Sequence, residues 1–273
     1  MKKSLCIKTN NKKILEYLFK NLSDINHIAI SKNQFKIYKN VIIHYTNEPV
    51  DLATILSSVV IKFYEKRLLC RILNVNYFYF SDLEKKEILK TAISFLEVNR
   101  INDIFDSIYA YIIENKIISL DGFINFRLKS YFNILDNTID LAVNKFLIDR
   151  EYNEFIKLLS LYVNSRDNTT DIIHLIYISG NSILLDNEKN IIPLDDNIFN
   201  AKYLSDITFS SNDYALNAIL SIIPEKLYIH LIDAEDEFVT TLKLIFSENA
   251  ILCTDCNLCR TYKLVKDSYC LQT

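Results

Sequence analysis

Apolar and polar positions follow three rhythms along this chain, and the changes of rhythm divide it. Residues 4–8 read as a short strand, and residues 12–19 carry apolar side chains at helical spacing. Two runs rich in β-formers, 27–38 and 41–46, flank a polar Lys39-Asn40 turn and predict a hairpin or adjacent strands. Pro49 closes this region and can open a helix, where its missing N–H costs nothing. From residue 50 to about 163 the period is helical. Ile55, Val59 and Phe63 begin it, and Ser81-Asp82-Leu83-Glu84 reads as a capped start for the next helix. Ile88, Ala92, Phe95 and Leu96 then share one face, and Ile101, Ile104, Phe105, Ile108 and Ile112 define a further helix. Ile124, Leu128, Tyr131, Leu135, Ile139, Ala142 and Phe146 form a long stripe. A second stripe, Ile148, Tyr152, Phe155, Leu159 and Tyr162, follows a break expected near Asp149.

Residues 165–170 are polar, short and unpatterned, the best linker in the chain. Beyond them, residues 172–179 and 182–186 around Gly180-Asn181 predict a β-hairpin. Residues 195–201 read as irregular. Strands at 203–209, 226–232 and 250–253 then alternate with helices at 212–222 and 235–246. The fold class is α+β: a mixed α/β N-terminal part, a central helical bundle and a C-terminal α/β unit with a β-hairpin. The expected regions are 1–165 and 171–273, with one compact domain as the alternative. No internal repeat of fixed period supports a solenoid.

Composition narrows the function. Half of the 273 residues are apolar, enough for a sizeable core. The net charge of -3 offers no general attraction to phosphate backbones, so nucleic-acid binding is not expected. Only Gly122 and Gly180 are glycine, far below the usual proportion of about 7%. Neither G-x-G-x-x-G nor G-x-x-x-x-G-K-[ST] can be written with two glycines, which excludes a standard nucleotide-binding loop. Asn and Lys are expected to make the turns that glycine usually makes. No apolar run approaches the ~20 residues of a membrane span, and Met1 to Cys6 does not open a signal peptide. A cytoplasmic chain with reduced cysteines follows as the expectation.

The strongest chemical signal is Cys253-x-x-Cys256-x-x-Cys259, with Cys270 further on. Thiolates are soft ligands, and two-residue spacers let a turn converge sulfurs on zinc or on an iron–sulfur cluster. The four cysteines are the candidate metal ligands. The fit is partial: ten residues separate Cys259 from Cys270, no Cys-Pro ending follows, and one extended knuckle stands where a zinc ribbon has two. Reduced structural thiols are the plainer alternative. Arg127, Lys129 and Arg150 form a candidate anion or partner patch, with Tyr131 and Tyr152 as stacking surfaces, against the plainer reading of a solvated helix face on which Arg150 pairs with Glu154. Asp149, Glu151 and Glu154 read as surface charge. His27, His44, His174 and His230 fall in strand-like segments without metal-ligand spacing and read as structural. A pairing of Cys253 with His230 on neighbouring strands is conceivable, but sequence carries no distance. Tyr77-Phe78-Tyr79-Phe80 reads as core packing, with part of it available as a partner surface.

The stretch from Gly122 through Phe126, Arg127, Lys129 and Tyr131, followed by Phe146-Leu147-Ile148-Asp149-Arg150-Glu151-Tyr152 and Glu154 to Leu159, resembles the YtxC-like family. The resemblance is specific over residues 122–163, and the order of parts is similar over most of the chain. It implies a sporulation-associated protein of an endospore-forming bacterium, and it implies no mechanism or catalytic residue. With no catalytic motif present, a structural or protein-interaction role through a protein partner is expected rather than an enzyme. The alternative, from a different class, is a metal protein using the cysteine cluster, with zinc or an iron–sulfur centre as its only cofactor.

Overall fold

The computed structural model describes residues 3–23, 25, 28–34, 39–46, 48–97, 100–166, 169–193 and 210–270. The chain forms two compact units, Met1–Asp149 and Arg150–Thr273. Its helices and its two four-stranded mixed sheets make it an α+β protein.

In the first unit, strand β1 (Lys3–Thr9) is followed by helix α1 (Lys12–Leu22) and strands β2 (Ile28–Gln34) and β3 (Lys39–Tyr45). β3 pairs antiparallel with both β1 and β2, setting Leu5 opposite Ile43 and Ile7 opposite Val41. Those four side chains are buried on one face, against Ile14, Leu15, Leu18 and Leu22 of α1. Lys39 and Asn40, expected as the turn, are instead the first rungs of β3, paired with Gln34 and Asn33. Helices α2 (Val50–Val60) and α3 (Lys66–Asn76) are joined by a π-helical turn at Ile61–Glu65. Then come α4 (Asp82–Phe95), α5 (Arg100–Glu114), strand β4 (Ile117–Ser119), α6 (Leu120–Arg127) and α7 (Lys129–Asn164). β4 joins the sheet parallel to β1, giving the order β2-β3-β1-β4. The predicted start of α4 holds: Ser81 and Glu84 form a reciprocal capping box.

The break expected near Asp149 does not occur. α7 runs through it, because Asp149, Arg150 and Glu151 neither lack an N–H nor demand positive φ. Ion pairs Lys145–Asp149 (3.1 Å) and Arg150–Glu154 (3.9 Å) lie along the helix on either side. The interruption falls at Leu128, between α6 and α7.

The π-helical turn places Glu65 inside the helical layer, where it is 7% exposed. Arg100 donates to it from Nε at 2.7 Å and from Nη2 at 3.1 Å, and the Tyr131 hydroxyl donates to Oε2 at 2.6 Å. A buried carboxylate needs such partners, since stripping it of water without them costs several kcal/mol. Tyr131, expected as an exposed stacking surface, is therefore a core residue at 1% exposure.

The second unit takes the end of α7, strands β5 (Thr169–Ile178) and β6 (Asn181–Leu185), α8 (Ser211–Ile222), β7 (Pro224–Leu231), α9 (Glu237–Phe246), β8 (Ala250–Cys253) and α10 (Asn257–Cys270). The sheet order is β6-β5-β7-β8, with β5, β7 and β8 parallel and β6 antiparallel to β5. The predicted hairpin is present. Its two-residue turn is Ser179-Gly180, both at positive φ (50° and 75°), as a tight hairpin with right-twisted strands requires. The other positive-φ positions among the described residues are Lys189, Ile223 and Ser247. Asn supplies none of them, contrary to expectation; tertiary packing holds Ile223, buried, in a conformation that its own branching disfavours. The strand expected at 203–209 and the irregular run 195–201 lie outside the described residues.

Alternation along the strands gives this sheet two unequal faces. Ile173, Leu175, Tyr177, Leu227 and Ile229 point into a core with Ala215, Ala218 and Ile219 of α8, Val239, Leu242, Ile245 and Phe246 of α9, and Ile156 and Val163 of α7. The opposite face contributes a far smaller buried cluster, Ile176, Leu185 and Ile232 with Cys259 of α10.

For the first unit, Arg100→Ala is expected to destabilise by about 3–5 kcal/mol in urea unfolding, because Glu65 is left buried with one neutral partner. Tyr131→Phe, which removes only one donor, is expected to cost about 1–3 kcal/mol.

Candidate metal centre

Parallel pairing of β7 with β8 places His230 opposite Cys253, each next to the carboxyl end of its strand. Ligand sites of open parallel sheets gather at such ends. Even-numbered positions of β7 face away from the large core, so His230 is carried to the face on which α10 lies. After β8, Thr254 and Asp255 reverse the chain, and α10 begins immediately after Cys256. The Cys256 carbonyl accepts from Arg260 N–H at 3.0 Å, so Cys256 caps the helix and Cys259 lies in its first turn. The reversal is tied by Arg260, which donates to both Asp255 carboxylate oxygens (3.0 and 3.2 Å), and by Lys263, which donates to the Thr254 carbonyl at 2.9 Å.

Three sulfurs and one ring nitrogen converge here. Cys256 Sγ lies 3.2 Å and Cys259 Sγ 3.4 Å from His230 Nδ1. Cys256 Sγ and Cys259 Sγ are 3.6 Å apart, and Cys259 Sγ and Cys253 Sγ 3.8 Å. All four donor atoms fall within 4.8 Å of one another. A tetrahedral zinc ion with Zn–S of ~2.3 Å and Zn–N of ~2.0 Å has edges of about 3.8 Å between sulfurs and about 3.5 Å between sulfur and nitrogen. The two sulfur–sulfur distances of 3.6 and 3.8 Å and the two sulfur–nitrogen distances of 3.2 and 3.4 Å lie close to those edge lengths.

Electrostatics differ from thiol to thiol. Burial pushes the Cys259 thiol up to about 11, with the neighbouring Cys256 and Cys253 sulfurs adding to the rise. Burial also opposes ionisation of Cys256, but hydrogen bonds from the Cys259 and Leu258 backbone and from the other two thiols outweigh it and bring Cys256 below the ordinary thiol value. Burial, with the adjacent His174 ring and Lys189 acting in the same direction, lowers His230 to about 4 and keeps its imidazole neutral. A neutral ring has one lone pair to offer, and Nδ1 is the nitrogen that faces the sulfurs.

Of the four cysteines singled out in the sequence, three meet here. Cys270 is the last residue of α10, eleven positions beyond Cys259; at ~1.5 Å rise per residue the two backbones stand about 16 Å apart along the helix. The fourth donor is His230. Its signal in the sequence was the pair of apolar runs 226–232 and 250–253, and what could not be read was the register that sets them side by side. Cys6 and Cys70 belong to the first unit. His44 is exposed on β3, and His27 lies outside the described residues. Arg127 and Lys129 are exposed in the first unit, and Arg150, in the second, pairs with Glu154. Phe80 is buried, whereas Phe78 and Tyr79 are exposed.

A family model described as the YtxC-like family matches residues 50–251. The chain is also similar to the uncharacterized protein YtxC of Bacillus subtilis (strain 168), 20% identical over 250 residues, which cover 85% of this chain and 86% of that protein. No solved structure matches.

In metal-free protein at pH 7–8, iodoacetamide is expected to alkylate Cys256 before Cys259, as read by peptide mass spectrometry over time. Equal rates would show that the two thiols do not differ as their surroundings require.

Proposed function

The chain belongs to the YtxC-like family, and we propose that its C-terminal unit is a zinc-binding module. One ion, held by Cys253, Cys256, Cys259 and His230, fastens α10 to the sheet. The observation that carries this reading is the mutual spacing of the four donor atoms, which suits a single tetrahedral ion. An iron–sulfur cluster spreads its cysteines around several atoms and needs wider sulfur separations, so the spacing favours zinc.

Three thiolates and an imidazole fill all four positions of a tetrahedral ion and leave none for water or substrate, the pattern of a structural rather than a catalytic site. The complex carries a single negative charge, and Lys263, which donates to the Thr254 carbonyl, adds a positive charge beside the Cys253–Cys256 turn. The ion adds to what α10 lacks, since the apolar cluster beneath that helix is small.

Intact protein purified without chelator is expected to contain close to one zinc per chain by elemental analysis. Cys259→Ser and His230→Asn are each expected to lower this sharply, and Cys270→Ser to leave it near one. Stripping zinc should increase hydrogen exchange in residues 254–266. With free zinc at 100 times Kd the loaded state gains about 2.7 kcal/mol. Metal below about 0.1 per chain in the intact protein would end the proposal.

A second reading, a partner-binding role in a sporulating cell, draws on Phe78, Tyr79, Phe126, Phe155, Leu158 and Leu161, large apolar side chains left more than half exposed. Its test is affinity capture from sporulating cells. A specific protein retained by the wild type and lost with Phe155→Ser/Leu158→Ser supports it, and recovery of none counts against it.

A further inference from the structure

His230 has two ring nitrogens, and only one faces the sulfurs. The other, Nε2, lies 2.9 Å from Nδ1 of His174, which the pairing of β5 with β7 carries to the same face of the sheet. His174 is itself fixed. Its ring stacks on Tyr228 with centroids 5.2 Å apart and 18° between planes, and Tyr228 is its cross-strand neighbour. The two imidazoles meet edge to edge, with centroids 5.2 Å apart and planes 29° from parallel, so the two nitrogens point at each other.

We propose that His174 is a positioning residue for the metal centre, one that accepts the His230 Nε2 proton and so presents the His230 Nδ1 lone pair to the ion. This inference rests on the zinc reading above and goes beyond it, because it assigns a role to a residue that touches no ion.

The proton bookkeeping leaves one arrangement. An imidazole that binds metal through Nδ1 must carry its proton on Nε2, and a donor at Nε2 needs an acceptor 2.9 Å away. His174 Nδ1 supplies that lone pair when its own proton is on Nε2. Protonating His174 at Nδ1 would set two N–H groups against each other. With the acceptor in place, the hydrogen bond holds the His230 ring about its χ angles and raises the basicity of the ligating nitrogen. Removing such an outer partner characteristically costs ~10–100-fold in metal affinity.

The alternative role for His174 is packing: a flat ring filling the space beside Tyr228. Two variants separate them. His174→Phe keeps a ring for Tyr228 and removes the acceptor, whereas His174→Asn places an amide oxygen close to the Nδ1 position and removes the ring. Zinc affinity of the full chain, measured by competition with a chromophoric chelator, is expected to fall ~10–100-fold in the Phe variant and to stay within about threefold of wild type in the Asn variant. Thermal unfolding of the metal-free proteins, measured in parallel, reports packing separately. Unchanged affinity in the Phe variant, or the reverse order of the two, overturns the proposal while leaving the zinc centre standing. Wild-type protein that binds no zinc overturns the centre itself, and this inference with it.

Discussion

Helix α10 rests on a sheet face that offers it little to bury. Among the described residues, the buried cluster there is Ile176, Leu185 and Ile232 with Cys259, while the cluster on the opposite face of the same sheet numbers sixteen. At about 1.5–3 kcal/mol for a fully buried large side chain, so small a cluster is a weak anchor for a fourteen-residue helix, on which Leu264 stays 71% exposed. The convergence of three sulfurs with the His230 ring is what ties the start of α10 to the carboxyl ends of β7 and β8. The ion pair of Lys266 with Asp233 is a second tether one end further along.

That convergence depends on strand register. His230 and Cys253 face each other only because Leu227 pairs with Ala250 and the rungs continue from there. Side chains alternate with period two, so a slip of one residue would bring Leu231 or Leu252 to the site and turn the donors toward the large core. The large core therefore positions the centre indirectly: Leu227 and Ile229 must point into it, and this forces Tyr228 and His230 the other way. The same parity on β5 sends Leu175 into the core and His174 to the face that carries His230. The donor cluster and the core draw on one alternation.

This explains which parts were legible. The strands and helices of residues 211–253 were readable because each has its own periodicity, and the capping box at Ser81 because its signal is local. The three-cysteine knuckle was readable for the same reason, its spacing being confined to seven residues. His230 was not, since its place depends on a pairing across twenty-three positions of chain that no local pattern encodes. Cys270 looked eligible because spacing in sequence says nothing about whether the intervening residues are extended or helical; a continuous α10 separates it from Cys259. The break expected at Asp149 came from a shift of the apolar stripe, but a stripe can rotate around a continuous helix when the surfaces it packs on change. Nothing at Asp149 stops the helix, whereas Leu128 departs from helical geometry at φ -89° and ψ 47°.

The remaining question is why a protein should keep this set of side chains beneath α10 at all. Valine or leucine at the three cysteine positions would pack at least as well and add apolar area. Thiols in contact with one another and with a neutral imidazole make only weak hydrogen bonds: Cys256 to Cys259 at 3.6 Å, Cys259 to the Cys253 carbonyl at 3.4 Å. Among the described residues, the buried Nδ1 of His230 has S–H groups for partners, a poor match for a desolvated lone pair. His230 and His174 are further ring polar groups brought into a small cluster where apolar ones would serve stability better. Every one of these costs becomes a contribution once a divalent ion sits among the donors, because each lone pair then has a strong acceptor and the His174 contact fixes the ring that offers one of them. On the zinc proposal, the cluster that packs poorly alone packs well around an ion, which is why these side chains are proposed to bind one rather than to fill a core.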